Sequence, residues 1–487
     1  MTTHPKFIIC VFDGLRRDMI TATEMPYLRQ FIDEGTDFTL SRSVFPTETR
    51  VNSAALGHGT TPNVSGMVAN KLFEPGVYSD RLFDTSTIEA FHAATGAHNG
   101  RYLSAISMGE AADAAGFKTA VVGSGSAGTT RWVNPMAEPL GHIGLCLRDW
   151  SSSVPKDYAD NILARFGPIP PAATPNISRQ ILQTDMFLES VLPETNPDIS
   201  VVWFTDPDAT YHPHGVGSPE SWAAVENVDD QFGRILEWWQ SSDERDRIQV
   251  FALSDHGEIT ATHKVDLKAE MGLAGLDLHD HFLDGADFAG SKGYGSVINV
   301  CDGDKGRIRN LVAWLEQQPW CGMILTSGGD GVEGFVPGTL AQSILMIDHP
   351  RTPDVYFMMQ THNDLNAYGF AGGTYYDAKY KEGGTVHGGL HLKEINNVMA
   401  AQGSLFKRVY QSAVPACITD IAPTILHLIG CKTPSSMTGR VLAEALSESS
   451  SEPAEFETKT YTVGTSPRRH VLRCWRVGKT RYIDRGL

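Results

Sequence analysis

Phe7-Ile8-Ile9-Cys10-Val11-Phe12-Asp13-Gly14 decides how this chain folds. A short, unbroken apolar run halted by Asp-Gly reads as a buried strand with a turn at its C-terminal end. Working outward, Pro26 suits a first helical turn, and a helix runs from Tyr27 to Glu34 until Gly35 stops it. A strand follows around Asp37–Val44, then a helix beginning near Thr49, with an apolar stretch ending at Gly57. Helix Ser104–Ala115 leads to strand Lys118–Val122, and the Gly/Ser-rich run 123–128 reads as a flexible loop. A helix over roughly 178–193 precedes strand Ile199–Thr205, and helix 217–241 precedes strand Ile248–Leu253. This alternation predicts βαβ units and an α/β fold: a doubly wound, mainly parallel sheet with helices on both faces.

From about 260 to 385 the pattern turns rich in Gly and aromatic residues, with strand-like runs at Val297–Val300, Gly322–Thr326 and Val355–Met359. It reads as an insertion that adds edge strands and a lid. Helix Ile418–Leu428 returns to the main pattern, Ser447–Pro453 reads as a polar linker, and Lys459–Asp484 as a β-hairpin. The expected organisation is one domain over 1–446, with 260–385 inserted in it, and a linker with a β tail over 447–487 that packs on the core.

Bulk properties bound the function. With 487 residues the chain can bury a large core, and a net charge of −17 argues against a nucleic-acid-binding surface. It leaves room for an anionic substrate, because bound cations reverse a local field. The seven cysteines are widely spaced and odd in number, with no C-x-x-C, so neither a zinc knuckle nor a disulfide framework is expected. The apolar run at residues 7–12 is too short for a signal-peptide core, and no run approaches a membrane span. The expectation is a cytoplasmic enzyme acting on a small molecule, with no membrane partner.

Ligands of such sheets sit at the C-terminal ends of strands. Asp13, Asp208 and Asp255 each follow an apolar strand, and His212, His256 and His387 lie in Asp208-Ala-Thr-Tyr-His212, Asp255-His256-Gly257 and Val386-His387-Gly388. Asp and His without Cys suit a catalytic Zn²⁺ site, or Mn²⁺ in a more carboxylate-rich one. Neighbours such as Asp255 and His256 point in different directions, which suits two adjacent metals clamping a phosphoryl group. Each piece has an ordinary alternative: Asp-Gly and Asp-His-Gly are common turns, His214 competes with His212, and Thr49 could be a helix cap.

Taken in order, Asp13-Gly14, Phe45-Pro-x-x-Thr49, Asp208-x-x-x-His212, Asp255-His256-Gly257 and His387-Gly388 resemble the alkaline phosphatase superfamily. Within it they resemble the nucleotide pyrophosphatase/phosphodiesterase branch and the related phosphonoacetate hydrolases, over roughly residues 5–75, 198–260 and 383–430. The resemblance implies an alkaline-phosphatase-like fold with two Zn²⁺ (Mn²⁺ or another divalent metal possible) and hydrolysis of phosphate diesters or phosphonate esters through a phospho-threonine intermediate. It implies that Asp208, His212 and His387 hold one ion, and that Asp13, Asp255 and His256 hold the other beside Thr49. Thr49, rather than Thr47, would be the nucleophile and a metal neighbour. Asn70, closing Ser65-Gly-Met-Val-Ala-Asn70, would donate to a phosphoryl oxygen.

The chain departs from that branch at Arg50, where an aromatic residue is usual. Arg50 is a candidate for binding a second anionic group of the substrate, or else a solvated helix arginine. The lysines that hold carboxylate in phosphonoacetate hydrolases have no counterpart in Val121–Arg131, which leaves Arg131, Thr129 and Ser124 as candidate substrate contacts. His263, His279, His281 and Tyr294 could reach the pocket, although packing or surface roles are commoner for loop residues. A phosphate monoesterase, a phosphonate hydrolase and a metal-dependent phosphomutase are the alternative activities; a non-catalytic binding protein is the remaining one.

Overall fold

A computed structural model describes residues 4–283, 285–449, 454–465 and 468–486. Its centre is an eight-stranded sheet. In chain order the strands are β1 (Lys6–Phe12), β2 (Thr36–Phe38), β3 (Thr119–Gly123), β4 (Ile143–Cys146), β5 (Ile199–Phe204), β6 (Ile248–Leu253), β7 (Met399–Gln402) and β8 (Tyr410–Ser412). In space they run β8-β2-β7-β6-β1-β5-β3-β4. β4, β3, β5, β1 and β6 are mutually parallel; β7 pairs antiparallel with both β6 and β2.

β1 sits between β5 and β6, with Phe7 opposite Ile199 and Ile8 opposite Val250. Its alternate side chains serve two different cores. Phe7, Ile9 and Val11 pack with Val201, Trp203, Phe251 and Leu253, while Ile8, Cys10 and Phe12 pack with Val202, Phe204, Val250 and Ala252 on the opposite face. A strand covered on both faces has no polar side, which is why residues 7–12 are uniformly apolar.

Several expected elements differ in extent. The strand around 37–44 is two short ones, β2 and Ser41–Arg42, the latter paired with Ala416–Cys417. Helix 104–115 is cut to Met108–Asp113 because Ser107 and Glu110 form a capping box. The run 123–128 is not a flexible loop: Ser126 caps a helix over Ala127–Val133. Ser218 likewise starts Pro219–Ser241, leaving a separate short helix at Asp208–His214.

The insertion adds no strand to the central sheet; the strands beyond β6 are β7, β2 and β8, from outside it. Instead, 259–386 forms its own four-stranded sheet and, with 278–359, a six-stranded one around a third core that includes Leu267, Val312, Trp320 and Phe357. The tail forms three strands rather than two: Glu457–Val463, His470–Val477 and Thr480–Gly486. Of the expected linker, 450–453 lies outside the described residues. Among the described residues no helix is long and apolar enough to cross a membrane.

Candidate active site

Three adjacent strands, β6, β1 and β5, deliver three carboxylates to one place. Asp13 N donates to Phe204 O at 3.0 Å and Asp208 N donates to Asp13 O at 2.9 Å, so the backbones of β1 and β5 stay together past the sheet. Gly14, at φ +71°, donates its N–H to Asp255 Oδ1 at 3.0 Å. A Cβ there would lie 2.7 Å from Glu258 Oε1 and 2.9 Å from Asp208 Cβ, so this close approach requires glycine.

Two groups result. Ligand-type atoms of Asp208, His212 and His387 lie within 4.8 Å of one another, and so do those of Asp13, Asp255 and His256. The groups adjoin, with the His256 and His387 rings stacked at 3.9 Å. All three imidazoles are oriented alike. Nδ1 of His212 donates to Thr385 O (2.9 Å), that of His387 to Thr47 O (2.8 Å) and that of His256 to Gly257 O (3.1 Å). Each Nε2 then faces carboxylates: His212 and His387 lie 3.4 and 3.5 Å from Asp208 Oδ1, and His256 lies 3.3 Å from Asp255 Oδ2 and 3.7 Å from Asp13 Oδ1. Anchoring one ring nitrogen on a carbonyl is how metal-ligating histidines are oriented. His214 is turned away, towards Thr174 and Glu220.

The electrostatics call for cations. Asp13 Oδ1, Asp208 Oδ1 and Asp255 Oδ2 are buried without a hydrogen-bond partner. Burial, then the neighbouring carboxylates, raises Asp13 well above the usual range and raises Asp255 in the same direction. Burial pushes His256 down to about 4 and lowers His387 further, with His256 adding to the effect on His387. Burial would also raise Asp208, but the imidazoles of His212, His387 and His256 around it win, and its carboxyl is held low. Buried carboxylates facing neutral imidazoles with bare oxygens fit divalent ions.

Thr49 is buried and lies at the start of the helix Thr49–His58. Glu48 occupies the cap position, so Thr49 is not the cap; its Oγ1 instead lies 3.2 Å from His256 Nε2. Arg50 N donates to Asn70 Oδ1 at 3.0 Å. Asn70 lines the same cleft, so its amide NH₂ is the end left for a ligand. That bond also commits one of the N–H groups that the helix start offers.

The cleft encloses about 850 Å³ and is lined by Thr49, Arg50, Asn70, Asp208, His212 and His387 among others. Arg131 does not reach it. It is buried in the helix Ala127–Val133, its guanidinium 4.8 Å from the Phe91 ring and 3.2 Å from Glu138 Oε2. Once Ser126 starts that helix, Arg131 falls on a core-facing side. Ser124 does line the cleft, while Thr129 is held by Ser126. Of the insertion residues, Tyr294 reaches the cleft and also donates to Glu394 Oε2 at 3.0 Å, bracing the loop after His387; His263, His279 and His281 are not among its lining residues.

Three residues escaped the sequence reading. Glu258 is fully buried, its Oε2 3.7 Å from His212 Nδ1 and its Oε1 unpartnered. Only its place two residues after His256 hinted at it. Tyr380 stacks on His212 at 4.3 Å, and Arg148 lines the cleft just beyond β4. Neither carries a local signal, since both are brought in by distant segments.

A family model described as type I phosphodiesterase / nucleotide pyrophosphatase matches residues 7–304. The bis(5'-adenosyl)-triphosphatase enpp4 of Xenopus laevis is 34% identical over 91 residues, which is 19% of this chain and 18% of that protein. Ectonucleotide pyrophosphatase/phosphodiesterase family member 3 of Rattus norvegicus is 21% identical over 256 residues, 52% of this chain and 25% of that one. The chain thus spans a quarter or less of the length of these relatives. Murine ectonucleotide pyrophosphatase / phosphodiesterase 5 superposes with TM-score 0.61 at 16% identity, over 91% of this chain and 100% of the other. An inactive threonine-to-alanine form of it, in complex with AMP, superposes with TM-score 0.58 at 16% identity, over 88% and 96%. At this identity the likeness establishes the fold, which is the expected alkaline-phosphatase-like one.

Proposed function

Because the chain belongs to the type I phosphodiesterase / nucleotide pyrophosphatase family, we propose that it is a metal-dependent hydrolase of phosphate diesters or related phosphonate esters. One observation carries the reading: two adjoining Asp/His triads with bare, buried carboxylate oxygens, and a threonine hydroxyl 3.2 Å from one of their imidazoles. Asp208, His212 and His387 would hold one divalent ion; Asp13, Asp255 and His256 would hold the second, beside Thr49. Three carboxylates and three imidazoles suit Zn²⁺, with Mn²⁺ the next choice. Bound there, the ions supply Lewis acidity, which lowers the pKa of a nearby hydroxyl and neutralises charge developing on oxygen.

The chain's own residues supply the rest. Thr49 Oγ gives its proton to solvent and attacks phosphorus in line; its P–O bond forms as the ester P–O bond breaks and the leaving oxygen takes a proton from water, and a water then adds to phosphorus, breaks the Thr49 P–O bond and returns a proton to Oγ. Asn70, its Oδ1 held by Arg50 N–H, presents its NH₂ to a non-bridging oxygen. The carbonyls of Thr385, Thr47 and Gly257 keep the imidazoles in one tautomer. The AMP complex of the murine relative, and its inactivity as a threonine-to-alanine form, support nucleotide-type esters and an essential threonine.

The test compares bis-p-nitrophenyl phosphate, p-nitrophenyl phosphate and a phenylphosphonate ester on zinc-loaded protein, wild type and Thr49→Ala. Diester turnover above monoester turnover is expected. Thr49→Ala should cut kcat/KM by roughly a thousandfold or more with about two ions still bound per chain. A monoester rate well above the diester rate would make the protein a monoesterase, and wild-type turnover in Thr49→Ala would exclude the covalent route.

A further inference from the structure

We propose that the cleft contains a second anion-binding subsite, built by Arg50 and Arg148, that selects esters bearing an additional phosphate or carboxylate group. This rests on the reading that the scissile group docks at Thr49.

Both arginines line the cleft that contains Thr49 and the Asp208 triad. Arg50 follows Thr49 directly, and its Nε is buried without a hydrogen-bond partner. Arg148 projects from the C-terminal end of β4. Among the described residues, neither guanidinium makes an ion pair or donates a side-chain hydrogen bond. Of the other cations of the wall, Lys379 lies over the Tyr380 ring, its Nζ 5.3 Å from the centroid, and three more are engaged by polar groups. Lys292 pairs with Asp377 at 3.2 Å, Lys71 lies 3.9 Å from Asp84, and Arg179 donates through Nε and Nη2 to Pro170 O.

Three carboxylates of the wall already accept hydrogen bonds. Glu48 accepts the Asn70 N–H, Asp84 accepts Ser86 N–H at 3.0 Å and Asp149 accepts Ser151 O–H at 2.6 Å. Two guanidinium forks that line one cleft without an ion pair, at the edge of a phosphoryl site, match a carboxylate or phosphate oxygen pair.

Binding read without turnover tests this. The zinc-loaded protein is titrated calorimetrically with ω-phosphonocarboxylates having two to five methylenes, and with alkylphosphonates of equal length. At least one phosphonocarboxylate should bind roughly tenfold or more tighter than its alkyl counterpart. Arg148→Gln and Arg50→Gln should each reduce that ratio several-fold, and the ratio should fall steeply with added salt. A ratio near one across the series, or one that persists in both variants, would overturn the subsite. A protein that discriminates the phosphonates yet hydrolyses no ester would refute the hydrolase reading and leave the subsite standing.

Discussion

Arg50 N–H donates to Asn70 Oδ1, and that one bond decides which end of the amide faces the cleft. Asn70→Ala should therefore lower kcat/KM about 100-fold while leaving metal content unchanged, a combination that steady-state kinetics and metal analysis separate. The ligand residues make a second prediction, about pH. Asp13 and Asp255 are held above the ordinary carboxylate range by burial and by neighbouring carboxylates, Asp255 and Asp208 acting on Asp13 and Asp208 on Asp255. A carboxyl raised by folding stabilises the fold fully below about pH 4, and that contribution is lost as pH climbs through the raised value. His256, at about 4, and His387, lowered likewise, act in the opposite sense. Their contribution is complete above about pH 6.5 and is lost as pH falls through the lowered value. Metal replaces the protons on the carboxylates, so the rise in Tm on adding Zn²⁺ should grow from pH 5 to pH 8. Thermal unfolding with zinc and with chelator checks this; a metal-induced shift that ignores pH would remove the carboxylates from the ligand set. At this scale much was legible, because residues such as Asp13 and Asp255 stand directly after strands. Arg131 was misread, since only the helix started by Ser126 decides where its guanidinium goes.

The helix Thr49–His58 is positioned by contact with Ala127–Val133, and glycine makes the contact possible. A Cβ on Gly57 would lie 2.0 Å from Val133 O, a backbone atom that cannot step aside. Gly57→Ala should cost about 1–3 kcal/mol through overpacking, seen as a lower urea midpoint. Because the same helix begins with Thr49, kcat should fall as well; an unchanged midpoint would mean that the helices separate freely. Long apolar elements were readable: β6 at Ile248–Leu253 and the insertion strand Val355–Met359 have the expected bounds. Helix starts were less so. Ser107, Ser126 and Ser218 each fix a boundary by a side-chain bond to a backbone N–H, a choice a Ser-rich stretch leaves among several positions.

Across the whole molecule, the C-terminal sheet is tied to the core that carries the candidate site. Arg42, beside the Thr49 segment, pairs with Asp484 at 2.7 Å in a buried setting and lies 4.6 Å from the Trp475 ring. Tyr482 donates to Asp420 Oδ2 at 3.0 Å, and Leu472, Trp475 and Ile483 join the same apolar core as Val51 and Leu56. Asp484→Ala leaves Arg42 buried without its carboxylate partner and should cost about 3–5 kcal/mol. Diester kcat should stay within roughly twofold of wild type, because Asp484 lies outside the cleft. A stable Asp484→Ala protein would show that the tail adds little.

The sequence alone determined the strand–helix alternation and the order of the chemistry-bearing motifs. Both are local: apolar runs, their period and the residues that end them are written within a few positions. Tertiary structure alone decided that Asp208, His212 and His387 meet although Asp208 and His387 stand 179 positions apart (387 − 208), that Glu258, Tyr380 and Arg148 join the site, and that Arg131 leaves it. Strand order, helix caps and close backbone approach set those juxtapositions, and each depends on which distant segments pack together.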